Sequence, residues 1–295
     1  MSLLKVVILA IIQGLAELLP VSSSAHVVVA EKLMGLDVSS PSMTLLLVML
    51  HTGTMFAVIV YFLDQWKRIY FSSATAFRQI ALNLIVATTL TGFIGYGIIK
   101  FIEKTILRHV AHAQIEDLFG HLEWISPALA VAGLLIIIAG VLRRQEDRHD
   151  PSIETDHEIS LSQSGWIGAV QGLCLPFRGF SRSGATISVG MLTGVPKARA
   201  EVFSFALAVI LTPPAIAKEL LRVVHQHQVQ AQLGSTGYLS GAILPSLIGM
   251  ACSFLAGLLA LKWLSRWLES DRWHLFGIYC LIASVTVFVL HRAGY

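Results

Sequence analysis

Polar and apolar positions along the chain alternate on the length scale of a lipid bilayer. Apolar runs near 43–63, 80–99, 125–142, 200–217, 239–261 and 274–290 are each long enough to cross roughly 30 Å of hydrocarbon as a helix. They predict six spans. Polar or charged segments bound them: Asp64 to Arg78, Lys100 to Glu123, Arg143 to Gln163, Lys218 to Gly237, and Lys262 to Trp273. Two further apolar regions, 4–35 and 164–195, are interrupted at their centres by polar and helix-breaking residues that a simple span does not tolerate. The first passes through Gln13, Glu17, Pro20, Ser22, Ser23, Ser24 and His26; the second passes through Gln171, Pro176, Arg178, Gly179, Ser181, Arg182 and Ser183. Each is predicted to be a re-entrant helix-loop-helix hairpin that enters and leaves on one side.

The two broken regions repeat one another. Gln13-Gly14-Leu15 recurs as Gln171-Gly172-Leu173 at an offset of 158, and Ser22-x-Ser24 recurs as Ser181-x-Ser183 at 159. Gly35 recurs as Gly194, also at 159. Each half then holds one hairpin followed by three spans, and an odd number of crossings turns the second half upside down. The fold class expected is an all-α integral membrane protein built as an inverted-topology repeat. The whole chain, 1–295, reads as one membrane domain, with repeats 1–142 and 164–295 joined by a polar linker, 143–163. A rival reading of residues 1–25 as a signal peptide is disfavoured because the same pattern returns deep inside the chain.

Composition agrees with a bilayer as solvent. The chain is 55% hydrophobic and 13% charged, where a soluble domain carries about 25% charge. Its mean hydropathy is +0.72. The net charge of +3 contains no Lys/Arg run that would track nucleic acid, so the partners expected are membrane lipids. A homodimer is compatible with the sequence. Cys174, Cys252 and Cys280 lie apart inside apolar stretches and read as small core residues. If the 64–79 and 143–163 segments are cytoplasmic, that face carries eleven Lys/Arg against eight on the other, with Arg178 and Arg182 in the second hairpin. The positive-inside rule then puts both termini and the mouth of the first hairpin outside.

Ionisable groups at membrane depth are costly, and their default reading is functional. Here they gather in the hairpins. Gln13 and Glu17, four apart, share a helix face just before Pro20. Ser22, Ser23 and Ser24 fall where a second half-helix begins, a position whose free backbone N–H groups attract anions. Arg182, beside Ser181 and Ser183 and followed by Thr186, offers a planar fork suited to phosphate. The set suggests phosphoryl chemistry, with Glu17, His26 and Ser23 as acid/base and nucleophile candidates and Arg182 as an oxyanion clamp. Gln13, Ser22, Ser181, Ser183 and Thr186 are the expected phosphate-binding residues. Two blander readings stand beside this one: Glu17 and Arg182 as a buried ion pair joining the repeats, and Arg178 as a snorkelling side chain rather than a second clamp. His51 reads either as a site neighbour or as a packed polar residue. His109, His112, His121, His225 and His227 fall in loops and are left unassigned.

The first hairpin, Gln13-Gly14-Leu15-Ala16-Glu17-Leu18-Leu19-Pro20-Val21-Ser22-Ser23-Ser24-Ala25-His26, resembles the (E/Q)xxxE and PVSSxxH signature of undecaprenyl pyrophosphate phosphatases of the bacitracin-resistance type. The second, Gly179-Phe180-Ser181-Arg182-Ser183-Gly184-Ala185-Thr186, resembles that family's GxSRSGxT motif. The resemblance implies a bacterial inner-membrane hydrolase. It would remove the terminal phosphate of undecaprenyl pyrophosphate at the outer, periplasmic face and so recycle the lipid carrier of cell-wall synthesis. It also implies a divalent cation, Mg²⁺ or Ca²⁺, with Glu17 as a ligand. Gln13 leaves this chain one carboxylate where a two-carboxylate metal site needs two, and Ser24-Ala25 replaces the commoner Thr-Gly. The competing class is a polyprenyl-phosphate flippase, which needs the same clamp.

Overall fold

A computed structural model describes residues 1–36, 40–105, 120–149, 158–232, 240–270 and 272–295. His109, His112 and the acidic stretch Glu154 to Asp156 lie outside them. The described residues form ten α-helices: α1 (Leu3–Leu18), α2 (Ser23–Leu33), α3 (Pro41–Tyr70), α4 (Ala74–Thr105), α5 (Leu122–His149), α6 (Leu161–Cys174), α7 (Arg182–Leu192), α8 (Lys197–Gln232), α9 (Ser240–Glu269) and α10 (Trp273–Arg292). Six are long and apolar enough to cross a membrane: α3, α4, α5, α8, α9 and α10. These are the six spans the apolar runs predict.

The helices outrun their apolar windows. Helix α3 continues through Asp64, Lys67 and Arg68 to Tyr70, and α8 passes Pro213 and Pro214. An apolar run measures hydrocarbon thickness, whereas a helix ends at a cap or a breaker. For the same reason α5 runs on to His149, so the first part of the 143–163 linker is helical rather than loop.

The broken regions are the pairs α1/α2 and α6/α7, and each pair packs together. The first break holds Leu19 to Ser22, the second Leu175 to Ser181. Matching glycines seat the leading helices. A Cβ on Gly14 of α1 would lie 2.7 Å from the Ser253 carbonyl of α9, and one on Gly172 of α6 would lie 3.0 Å from the Thr91 carbonyl of α4. Helices α5 and α10 are stitched by a reciprocal pair: Ser126 Oγ donates to the Ser284 carbonyl at 3.0 Å, and Ser284 Oγ to that of Ser126 at 2.7 Å. Outward faces such as Phe93, Tyr96 and Phe101 of α4 and Ile282, Val285 and Phe288 of α10 are exposed and apolar, as lipid contact requires. Cys174, Cys252 and Cys280 are free thiols.

Candidate active site

The two breaks meet. Arg182, at the first turn of α7, donates from Nη2 to Glu17 Oε1 at 2.8 Å. The Ser23 hydroxyl, at the start of α2, donates to the other carboxylate oxygen, Oε2. Gln13 Nε2, one turn before Glu17, donates to that same oxygen at 3.1 Å. Two backbone-directed bonds join the breaks: Ser183 Oγ donates to the Leu19 carbonyl at 3.3 Å, and the Gly179 N–H donates to Ser24 Oγ at 3.3 Å.

Backbone strain marks the same place. Ser22, the residue ahead of α2, has φ 69°, the one non-glycine with positive φ among the described residues. Such a conformation costs about 1–3 kcal/mol and survives where its surroundings hold it. Gly179 has φ 102°, and a Cβ there would lie 2.6 Å from the Ile125 carbonyl of α5. That turn needs glycine on both counts.

The cluster lies on the wall of a cavity of about 1100 Å³ lined by Glu17, Ser22, Ser23, Ser24, His51, Ser181, Arg182 and Ser183 among others. Glu17 and Arg182 side chains are 15% and 29% exposed, and that of His51 is 42% exposed. Other lining residues come from the starts of α3 (Thr44) and α5 (Glu123), the far part of α8 (Arg222) and the end of α10 (His291). Spans that alternate in direction bring those four ends to one face, the face opposite the α3–α4 connection.

Not every expected site residue faces this space. Gln13 is 1% exposed, does not line the cavity and serves to hold Glu17. Thr186 is buried, with its hydroxyl bonded to the Arg182 carbonyl at 2.8 Å and to Ser204 Oγ at 2.6 Å. His26 stands outside the Glu17 cluster. Its Nδ1–H donates to the Ser22 carbonyl at 2.8 Å, and its Nε2 pairs with the Tyr279 hydroxyl of α10 at 2.7 Å, ring stacked on ring. The histidine beside Glu17 is His51 of α3. Its Nδ1–H donates to the Leu47 carbonyl at 2.8 Å, which leaves Nε2 facing Glu17 Oε2 at 3.8 Å. An ionisable residue inside a span was the signal for His51. Tyr279, 253 residues from His26, had none.

Among the described residues no group of three or more His, Cys, Asp or Glu side chains is placed to hold a metal ion. Both oxygens of Glu17 are already engaged. Among the described residues these donors do not complete a protein-held metal site.

Comparison with known proteins shows the family. Residues 6–286 match the family described as bacitracin resistance protein BacA. The chain belongs to that family. It is 55% identical over 292 residues to "Undecaprenyl-diphosphatase 2" of Acinetobacter baylyi, covering 98% of each chain. It is 35% identical to "Undecaprenyl-diphosphatase" of Rhodopirellula baltica over 293 residues, again 98% of each. The protein of that name from Anaeromyxobacter sp. is 32% identical over 294 residues, 100% of this chain and 90% of the relative. The matched stretch takes in both breaks, five spans whole and most of the sixth, α10.

Proposed function

We propose that this BacA-family protein is a membrane phosphatase that removes the terminal phosphate of undecaprenyl diphosphate and returns the lipid carrier to cell-wall synthesis. The observation that carries the reading is a single carboxylate, Glu17, holding both a cavity-lining hydroxyl, Ser23, and a guanidinium, Arg182. Relatives named as diphosphatases across the full chain length support it. They lend nothing to the flippase alternative.

Ser23 is the nucleophile. Its Oγ attacks the terminal phosphorus as its proton passes to Glu17 Oε2, and the phosphorus–bridging oxygen bond breaks to release the lipid monophosphate. Arg182 retains donors beyond the one given to Glu17 and turns them on the non-bridging oxygens, whose charge it stabilises. In the second half-reaction water attacks the phosphoserine and gives its proton to His51 Nε2, while Glu17 returns its own to the departing Ser23 oxygen. His26, tied to Tyr279, positions the start of α2. The lining residues include four Lys/Arg (Lys32, Arg178, Arg182, Arg222) against three Glu (Glu17, Glu123, Glu219). So small an excess leaves a diphosphate under-neutralised, and a divalent cation accompanying the substrate would supply the missing positive charge.

The halves form an inverted repeat with re-entrant hairpins. The matching Gly14 and Gly172 contacts and the reciprocal Ser126–Ser284 pair, 158 residues apart like the sequence repeat, support this. The cavity opens on the face that the Lys/Arg balance assigns to the periplasm, and the protein resides in the inner membrane. The test is chemical. Brief exposure of purified protein to a short-chain prenyl diphosphate labelled in its terminal phosphate, followed by acid quench, should leave acid-stable label on Ser23. Acid-labile label on a histidine would transfer the nucleophile's role away from Ser23.

A further inference from the structure

Glu31 is a buried acid that the chemistry above does not use. It is 0% exposed, and neither carboxylate oxygen has a hydrogen-bond partner among the described residues. Burial disfavours its charged form, and the positive charge that partly offsets this is that of Arg178. Arg178 lines the same cavity as Arg182.

The backbone beside Arg178 is fixed on two sides. The next residue, Gly179, donates its N–H to Ser24 of α2 and presses its Cα face on the Ile125 carbonyl of α5. Arg178 is therefore level with the Ser22 to Ser24 turn that carries the nucleophile. Ser24 and Glu31, seven apart, share a face of α2, and Ser24 and Lys32, the neighbour of Glu31, both line the cavity. Arg182 is already matched by Glu17. A diphosphate brings a second charged group, and the wall supplies a second cation for it.

We propose that Arg178, set in the cavity wall beside the Ser22 to Ser24 turn and influenced by the buried acid Glu31, grips the lipid-proximal phosphate of a prenyl diphosphate and sets the preference for diphosphate over monophosphate. The inference rests on the phosphatase reading. The terminal phosphate lies at Ser23 and Arg182 while the proximal one lies on Arg178. A lipid monophosphate then places its only phosphate on Arg178, beyond reach of Ser23, and is retained as product rather than hydrolysed.

Product inhibition separates the two stations. Phosphate release from a short-chain prenyl diphosphate is measured with prenyl monophosphate or inorganic phosphate as inhibitor. Release by the wild type tests the phosphatase reading by itself. Arg178→Ala should weaken inhibition by prenyl monophosphate about ten- to a hundredfold, the range for a lost charged hydrogen bond. Inhibition by inorganic phosphate, which binds at Arg182, should stay within about twofold. Arg178→Lys, which keeps charge and most of the stem, should give a smaller shift in the same direction. Glu31→Gln should shift monophosphate inhibition likewise, and Arg178→Ala/Glu31→Gln should be no worse than Arg178→Ala alone. Unchanged inhibition in the variants, or equal weakening by both inhibitors, would overturn the proposal while leaving the phosphatase reading intact.

Discussion

Glu17 serves four neighbours, Arg182, Ser23, Gln13 and His51, and this crowding assigns different effects to each substitution. Glu17→Gln keeps the shape but removes the proton acceptor, so kcat should fall by about 10² to 10⁴ while KM changes little. Arg182→Lys keeps charge but loses the fork, and should raise KM and lower kcat together. The two histidines should part company. His51→Ala should lower kcat with the thermal midpoint nearly unchanged, whereas His26→Ala should lower the midpoint, an effect that Tyr279→Phe reproduces, in keeping with about 1 kcal/mol for a lost hydrogen bond. Steady-state phosphate release and thermal unfolding in detergent measure both. A larger kcat loss in His26→Ala than in His51→Ala would exchange the roles of the two histidines. Glu17, Ser23 and Arg182 were legible in the sequence because ionisable and hydroxyl groups clustered at helix breaks stand out against an apolar chain. His26 stands apart from them because neighbours in sequence do not share a direction: three residues past Ser23, it faces α10.

At the scale of elements, close helix contacts bring the breaks together. A Cβ on Gly168 of α6 would lie 2.3 Å from the Ala87 carbonyl of α4, a backbone atom with little room to yield, whereas Gly92 has nothing within 4 Å. Gly168→Ala should therefore destabilise by about 1–3 kcal/mol, read as a lower unfolding midpoint in detergent. Gly92→Ala should be neutral or slightly stabilising. Equal behaviour of the two would show that the α4–α6 contact does not seat the second hairpin. Spans were readable from apolar runs because the hydrocarbon layer sets their length. Helix ends were not, since neither the charges past Leu63 nor Pro213 and Pro214 stop a helix that has packing on either side. The pairing of α1 with α9 and α6 with α4 depends on steric fit at Gly14 and Gly172, which no periodicity reports.

For the whole molecule, sidedness and chemistry must agree. Residues of α3, α5, α8 and α10 bring the cavity to the face opposite the α3–α4 connection, the face proposed above to lie outside on an eleven-to-eight Lys/Arg balance. With the three native cysteines replaced, His121→Cys at the cavity rim should react with an impermeant thiol reagent in intact cells, and Glu158→Cys should not. The opposite pattern would turn the site to the cytoplasm. The most direct measurement is inorganic phosphate release from a short-chain prenyl diphosphate by purified wild-type protein and by Ser23→Ala. A site in which the Glu17-bound hydroxyl attacks phosphorus predicts steady release by the wild type and a loss of about 10² or more in the variant. Release by Ser23→Ala at the wild-type rate would contradict it.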